Sequence, residues 1–245
     1  MIEYSIEVEN MTKTFRVVHR EASIKSAALS RLRFRRPRVE EFVALEDISF
    51  QIPRGQTVGV IGRNGSGKST LLTLMSRIYR PNKGRITVRG RVATLLELGA
   101  GFNGEFTGIE NIFLNGVIMG IKRDQIEARL PEIIEFAGLS EFIDTKVKFY
   151  SSGMITRLGF SVAVHSDPDV LLVDEVLAVG DADFQEKCYA KIEEFKTKGV
   201  TIFFVSHDVR AMRRVADRVL WIHDHKLRED GAPLPILESY ELGHT

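Results

Sequence analysis

One stretch limits the fold more than any other. Residues 57–61 (TVGVI) form a short apolar run that enters Gly62-Arg63-Asn64-Gly65-Ser66-Gly67-Lys68-Ser69, and LLTLMSRIY follows with apolar positions suited to a helix. The eight residues fit G-x-x-x-x-G-K-[ST] in the setting that pattern requires, a strand, a glycine-rich loop and a helix. Glycines let such a loop curl so that successive amide hydrogens point at phosphate oxygens. Lys68 stands where its ammonium reaches the β- and γ-phosphates, and the Ser69 hydroxyl can ligate Mg2+. The helix beginning near Lys68 aims its positive end at the same phosphates. A chance glycine-rich turn would account for the glycines, but not for Lys-Ser at that offset after an apolar strand.

Around this loop, apolar runs alternate with helical patterns. Residues 2–8 and 43–52 alternate with period two and read as strands, and Pro53-Arg54-Gly55 reads as a turn. Residues 85–89 and 91–98 read as further strands. From about 107 to 139 the period is helical, with Pro131 marking either a boundary or a kink. A helical pattern at 154–165 leads to VLLVDE, a helix over FQEKCYAKIEEFKTK leads to VTIFFV, and residues 209–219 read as helix before a strand at 219–222. That order predicts an α/β fold of mostly parallel strands covered by helices, with an added antiparallel edge or layer and a helix-rich insertion.

Two further chemical features sit at strand ends. Val170-Leu171-Leu172-Val173 is a buried-strand pattern that ends in Asp174-Glu175, at the position where open α/β sheets place ligands. Asp174 can hold Mg2+ directly or through water, and Glu175 can orient or deprotonate an attacking water. His207 follows VTIFFVS at another strand end. It is either a polar residue satisfied at a loop edge or a hydrogen-bond partner of the γ-phosphate or attacking water, with Ser206 positioning the loop. His223 and His225 have no cysteines nearby and make a poor metal site.

With these motifs in this order, the chain resembles the ATP-binding subunit of an ABC transporter along essentially its whole length. GRNGSGKS is similar to Walker A, through Gly62, Arg63, Asn64, Gly65, Ser66, Gly67, Lys68, Ser69 and the following Thr70. VLLVDE is similar to Walker B with its catalytic glutamate, Glu175, and FFVSHD to the switch-histidine loop. Tyr150-Ser151-Ser152-Gly153-Met154 stands where the family signature stands, normally LSGGQ. The resemblance implies that Ser151 and Gly153 cap the γ-phosphate of ATP held by the opposite subunit. Ala178-Val179-Gly180-Asp181 resembles the D-loop, with Asp181 at the subunit boundary. It further implies a P-loop NTPase with a RecA-like parallel core, an antiparallel β lobe and a helical lobe at about 105–165. ATP and Mg2+ are the implied cofactors, ATP hydrolysis the activity and a head-to-tail homodimer the assembly. Two positions depart from the family. The usual glutamine is missing from TLLELGAGFNGEFTGIEN, where Glu97 or Leu98 takes its place and Glu97 is the residue able to contact the metal. The adenine-stacking aromatic corresponds to Phe15, which reads equally as an edge-core residue.

LLELGAGFNGEFTGIENIFLNG, YSSGM and DEVLAVGDADFQEKC resemble the subfamily that energises export of lipid-linked polysaccharides, O-antigens and teichoic acids, in bacteria. That resemblance implies a separate polytopic membrane subunit and a peripheral location on the cytoplasmic face of the inner membrane. Many O-antigen versions carry a further carbohydrate-binding domain, for which 245 residues leave no room, so the chain either belongs to a type without it or is truncated. The net charge of +1 hides an asymmetry. Residues 16–41 hold eight basic and three acidic residues, and the remainder holds 26 basic and 30 acidic. This basic insertion is either a solvated surface segment or a contact for a partner or anionic lipid headgroups. A uniformly basic nucleic-acid-binding body is disfavoured, and no nucleic-acid partner is expected. The rival from another class is a chromosome- or repair-associated ABC ATPase using that arm on nucleic acid, but such proteins usually carry a long coiled coil or duplicate cassettes. A stand-alone P-loop kinase would leave the ordered motifs unexplained. The N-terminus lacks a signal-peptide pattern, no run reaches the ~20 apolar residues of a bilayer span, and Cys188 is the only cysteine, so no disulfide staples the fold.

Overall fold

The computed structural model describes residues 3–19, 38–96, 98–174 and 180–243. Its strands fall into two sheets. The larger is ordered β5 (Val92–Leu95), β6 (Val170–Asp174), β7 (Thr201–Val205), β3 (Thr57–Ile61), β8 (Arg218–His223) and β9 (Lys226–Gly231). Its first five strands are parallel, and β9 closes the edge antiparallel to β8. Strands β3 and β7 are buried at every residue, which is why they are continuous apolar runs rather than alternating ones. The smaller sheet is antiparallel, in the order β2 (Arg38–Pro53), β1 (Tyr4–His19) and β4 (Lys83–Val88).

Alternation along β1 and β2 turns Ile6, Val8, Leu45, Ile48, Phe50 and Ile52 toward one face of the larger sheet. There they pack with Val58, Val60, Phe203 and the apolar side of helix α1 (Lys68–Met75). The other face of the sheet is covered by Phe160 and Val164 of α4 (Ser152–Val164) and by α5 (Ala182–Thr197), α6 (Val209–Val215) and α7 (Pro233–Leu242). A third cluster joins α4 to α2 (Gly108–Ile118) and α3 (Arg123–Ala137) through Ile112, Ile126, Ile133, Leu158 and Val162. No helix among the described residues is long and apolar enough to cross a membrane.

The expected α/β architecture is present, with a parallel core, an antiparallel layer and a helical lobe. Several boundaries differ from the sequence reading. β1 and β2 pair well into the segment assigned to the basic insertion, with Arg16 opposite Glu41 and Val17 opposite Glu40. The insertion read as 16–41 therefore shares a long hairpin with its flanks at both ends, and residues 20–37 lie outside the described residues. The 107–139 pattern is two helices separated at Gly120, whose φ of 80° favours glycine. Helix α3 runs through Pro131, which is not a boundary. Helix α6 stops at Val215, because Asp217 accepts from the Thr57 amide at 2.9 Å and the chain then enters β8. β9 and α7 carry no strong periodic signal and were not expected.

Candidate nucleotide site

The strand order assembles the site. β7 lies between β3 and β6, with Val205 level with Val60 on one side and Asp174 on the other. The glycine loop after β3, Asp174 at the end of β6 and Ser206-His207 after β7 therefore emerge side by side, at the carboxyl edge where such sheets bind ligands.

Within the loop, two glycines are required by space. A Cβ on Gly62 would stand 2.3 Å from the Ile222 carbonyl oxygen, and one on Gly67 would stand 2.5 Å from that of Ala44. Gly67 also has φ 109°, and it is the residue from which α1 starts. Gly65 has open space around it but φ 82°. Lys68 is buried, and its ammonium donates to the carbonyls of Gly62 at 2.8 Å and Arg63 at 3.1 Å. The loop thus curls round the charge that is to meet phosphate. Above it opens a cleft of about 510 Å³ lined by Phe42, Ala44, Asn64, Gly65, Gly67, Lys68, Ser69, Thr70 and Asp174. A second hollow of about 310 Å³ follows the outer side of the loop, between Arg63, Ser66 and the β8–β9 turn at His223, Asp224 and His225.

These residues suit a Mg2+-nucleotide. The Ser66 hydroxyl is buried and has no hydrogen-bond partner among the described residues. Ser69 and Asp174 both line the cleft and supply hard oxygen donors, the ligand type Mg2+ prefers. Among the described residues no His/Cys/Asp/Glu cluster forms an all-protein metal cage, so the metal would share its shell with phosphate oxygens. Glu97 and Glu175 lie outside the described residues.

The aromatic wall differs from the sequence reading. Phe15 is not among the residues lining the cleft; its ring meets Tyr79 edge-on at 5.4 Å, with the Lys13 ammonium 4.9 Å above it. Its backbone partner across the hairpin, Phe42, lines the cleft and is 47% exposed. Phe42 rests edge-on against His225 at 5.4 Å, and His225 Nδ1 lies 3.1 Å from the Ala44 carbonyl. Asp224 and His225 both have positive φ, in a tight hairpin turn that packs on β2, where the Glu46 amide donates to the His225 carbonyl at 2.8 Å. Sequence reasoning passed over Phe42, Ala44 and this turn. Spacing in one strand carried no sign of them, because pairing of β1 with β2 places Phe42 and Ala44, and pairing of β8 with β9 makes the turn.

The remaining site residues cluster at helix starts. His207 is exposed between two anchors: the Ser206 hydroxyl accepts from the Asp208 amide at 3.0 Å, and Asp208 caps α6 through the Arg210 amide at 2.8 Å. Asp181 caps α5 through the Phe184 amide at 2.9 Å and approaches Arg157 of α4 at 3.9 Å. Ser151 caps α4 by accepting from the Met154 amide at 3.2 Å, which leaves its hydroxyl hydrogen to donate outward. A Cβ on Gly153 would meet only Ser151 Oγ, at 3.9 Å. The chain's own packing does not demand glycine there. Tyr150 is buried and its hydroxyl donates to the Phe142 carbonyl at 2.7 Å, fixing the segment from behind. Cys188 is buried, which pushes its thiol up to about 12 and removes it as a nucleophile.

Comparison with known proteins places this geometry. The family model described as ABC transporter matches residues 45–178. The O-antigen export system ATP-binding protein RfbB of Klebsiella pneumoniae is 48% identical over 242 residues, covering 98% of this chain and 98% of that protein. The teichoic acids export ATP-binding protein TagH of Bacillus anthracis is 42% identical over 240 residues, 98% of this chain and 43% of that protein. Among solved structures, a dimeric ATP-binding cassette bound to ADP and Pi superposes with a TM-score of 0.74 at 20% identity, covering 93% of this chain and 98% of that one. The ATP-binding subunit of another ABC transporter gives 0.76 at 22% identity, covering 97% and 93%. The two structures establish the fold.

Proposed function

We propose, given that this chain belongs to the ABC transporter family of ATP-binding proteins, that it hydrolyses ATP to drive export of a lipid-linked cell-surface polysaccharide through a separate membrane subunit. The observation that carries the reading is end-to-end similarity to an O-antigen export subunit, with the glycine loop, Asp174 and the Ser151 segment all inside the matched length. In this reading the whole described chain is one cassette, with the helical lobe at about 105–165, docked peripherally on the cytoplasmic face of the membrane.

The chemistry follows from the residues. Lys68 and the loop amides neutralise and orient the phosphates, and Thr70 bounds the cleft beside them. Ser69 and Asp174 would hold Mg2+, which when bound neutralises charge on the phosphate oxygens. Glu175 takes a proton from, or orients, the attacking water, and His207 holds the γ-phosphate side of the site. Glu97 stands in for the missing glutamine. Phe42 supplies the aromatic face for adenine, with Phe15 behind it in the hairpin. Two copies associate head to tail, so that Ser151 donates to, and Gly153 opens onto, the γ-phosphate held by the other copy, with Asp181 at the boundary. Closure excludes water, and loss of the γ-phosphate removes the contacts that bridge the copies. The basic insertion at 16–41 adds contact with the membrane subunit or anionic headgroups.

Lys68→Ala, made in cells that carry the membrane subunit, is expected to abolish surface glycan while lipid-linked glycan accumulates inside. Normal surface glycan in that strain would overturn the reading.

A further inference from the structure

The loop between β5 and α2, where the family's glutamine is missing, is anchored to the fold at several of its described residues, while Ala100, Gly101, Asn103, Glu105 and Phe106 stay exposed. Leu96 packs into the cluster beneath the antiparallel layer, Leu98 into the opposite cluster, and Phe102 into the helical lobe. Gly99 has φ 85°, and a Cβ there would stand 2.3 Å from Ile155 of α4. A Cβ on Gly159 of α4 would stand 2.7 Å from the Gly99 amide nitrogen and 3.2 Å from the Leu98 carbonyl carbon, so helix and loop meet backbone to backbone. Further on, the Lys148 amide donates to the Gly104 carbonyl at 3.0 Å, and the Val147 amide to Phe106 at 2.8 Å. Lys148 is three residues before Ser151.

At the hub of this arrangement is Asn111, on α2 and fully buried. Its side-chain oxygen accepts from the Asn103 amide at 2.7 Å. Its NH2 group donates to the carbonyls of Asn103, Phe106 and Thr107 at 3.0, 3.2 and 2.9 Å. Two hydrogens serve three acceptors, so one is shared. A buried carboxamide satisfied this fully specifies one backbone path and resists others, since any slip orphans several polar groups. The Phe106 carbonyl receives both Asn111 and Val147, which joins the side chain directly to the segment leading to Ser151.

We propose that Asn111 is a positioning residue, making the 98–107 loop a rigid strut. One end of the strut follows β5, which runs beside β6 and so next to the strand that ends in Asp174, and the other sets the Ser151 segment that faces the partner's nucleotide. This rests on the reading that Ser151 acts across the dimer. A strut of this kind transmits a shift at one nucleotide to the other without a glutamine. Disturbing it misplaces Ser151, and misplacement of a catalytic contact by a fraction of an ångström lowers turnover without touching the chain's own phosphate loop.

The test uses the purified full chain carrying Asn111→Asp, which keeps the shape but removes the donors, and separately Gly159→Ala. The second variant leaves the Asn111 side chain unaltered and forces the Leu98–Gly99 end of the strut off α4. Affinity for a fluorescent ATP analogue and steady-state ATP turnover are measured on each. Both variants are expected to bind the analogue within about twofold of wild type while kcat falls by roughly tenfold or more. If Asn111→Asp does not fold, Gly159→Ala carries the same expectation alone. Wild-type kcat in a folded variant would overturn the proposal, and so would a loss of affinity matching the loss of turnover. Ser151→Ala is run alongside: wild-type turnover there would refute the cross-dimer reading rather than the strut.

Discussion

Gly65 and Gly67 both have positive φ, 82° and 109°, yet alanine is expected to be far costlier at the second. At either position, an L side chain in this backbone region costs roughly 1–2 kcal/mol. At Gly65 nothing lies within 4 Å of the added Cβ, so that is the whole penalty. At Gly67 the Cβ would stand 2.5 Å from the Ala44 carbonyl oxygen and 2.6 Å from Leu45 Cδ2. Neither neighbour gives way easily, because Leu45 is fully buried and the Ala44 carbonyl is held by His225 at 3.1 Å. Forcing a methyl into packed surroundings adds about 1–3 kcal/mol, for a total of about 2–5 kcal/mol at Gly67. Because α1 buries Leu71, Leu72, Leu74 and Met75, the loss is felt by the whole fold rather than the loop alone. Urea denaturation of the two variants, followed by circular dichroism, reads the difference. Gly67→Ala no less stable than Gly65→Ala, within about 0.5 kcal/mol, would refute the steric reasoning.

Glu175→Gln is expected to retain ATP binding and accumulate as a nucleotide-trapped dimer on size exclusion; wild-type turnover in that variant would remove Glu175 from the reaction. Neutralising Arg31, Arg33, Arg35 and Arg36 together is expected to weaken binding to anionic vesicles or to membranes carrying the membrane subunit, and unchanged association would exclude the basic segment as a dock. Burial holds the His165 pKa below its ordinary 6.5, aided by Lys191 and Arg129 and opposed by the Ser161 carbonyl and Glu132. The unfolded chain then binds more protons than the folded one, so this stabilisation is complete above about 6.5 and drains away as pH falls through that value toward the folded pKa. His165→Asn should flatten the stability profile over that window, which chemical denaturation at several pH values will show; an unchanged slope would dismiss His165 as its source.

How much could be read in advance depended on whether the signal was local. The phosphate loop, β6 and β7 were legible because buried parallel strands are continuous apolar runs and the loop chemistry fixes residue type at each offset. β9 alternates half-buried with exposed positions and carries Lys226, Arg228, Glu229 and Asp230, as a charged edge strand does, and so left no apolar trace. The length of the β1–β2 hairpin was hidden by arginines whose charge reads as surface. Phe42 reaches the cleft through cross-strand register, a two-strand property that spacing within either strand does not contain. Asn111 was invisible for a related reason: on an amphipathic helix a polar residue reads as solvent-facing, and only tertiary structure reveals three loop carbonyls waiting for its donors.

The central claim, that each ATP is hydrolysed between Lys68 of one copy and Ser151 of another, is tested most directly by mixing two inactive variants. Lys68→Ala lacks the phosphate-binding ammonium and Ser151→Ala lacks the capping hydroxyl, so neither homodimer holds an intact site. A mixed dimer holds one, built from the Lys68 of the second variant and the Ser151 of the first. ATP turnover of the mixture well above that of either variant alone is the expected result. Turnover no greater than the average of the two separate variants would contradict a site shared across the dimer.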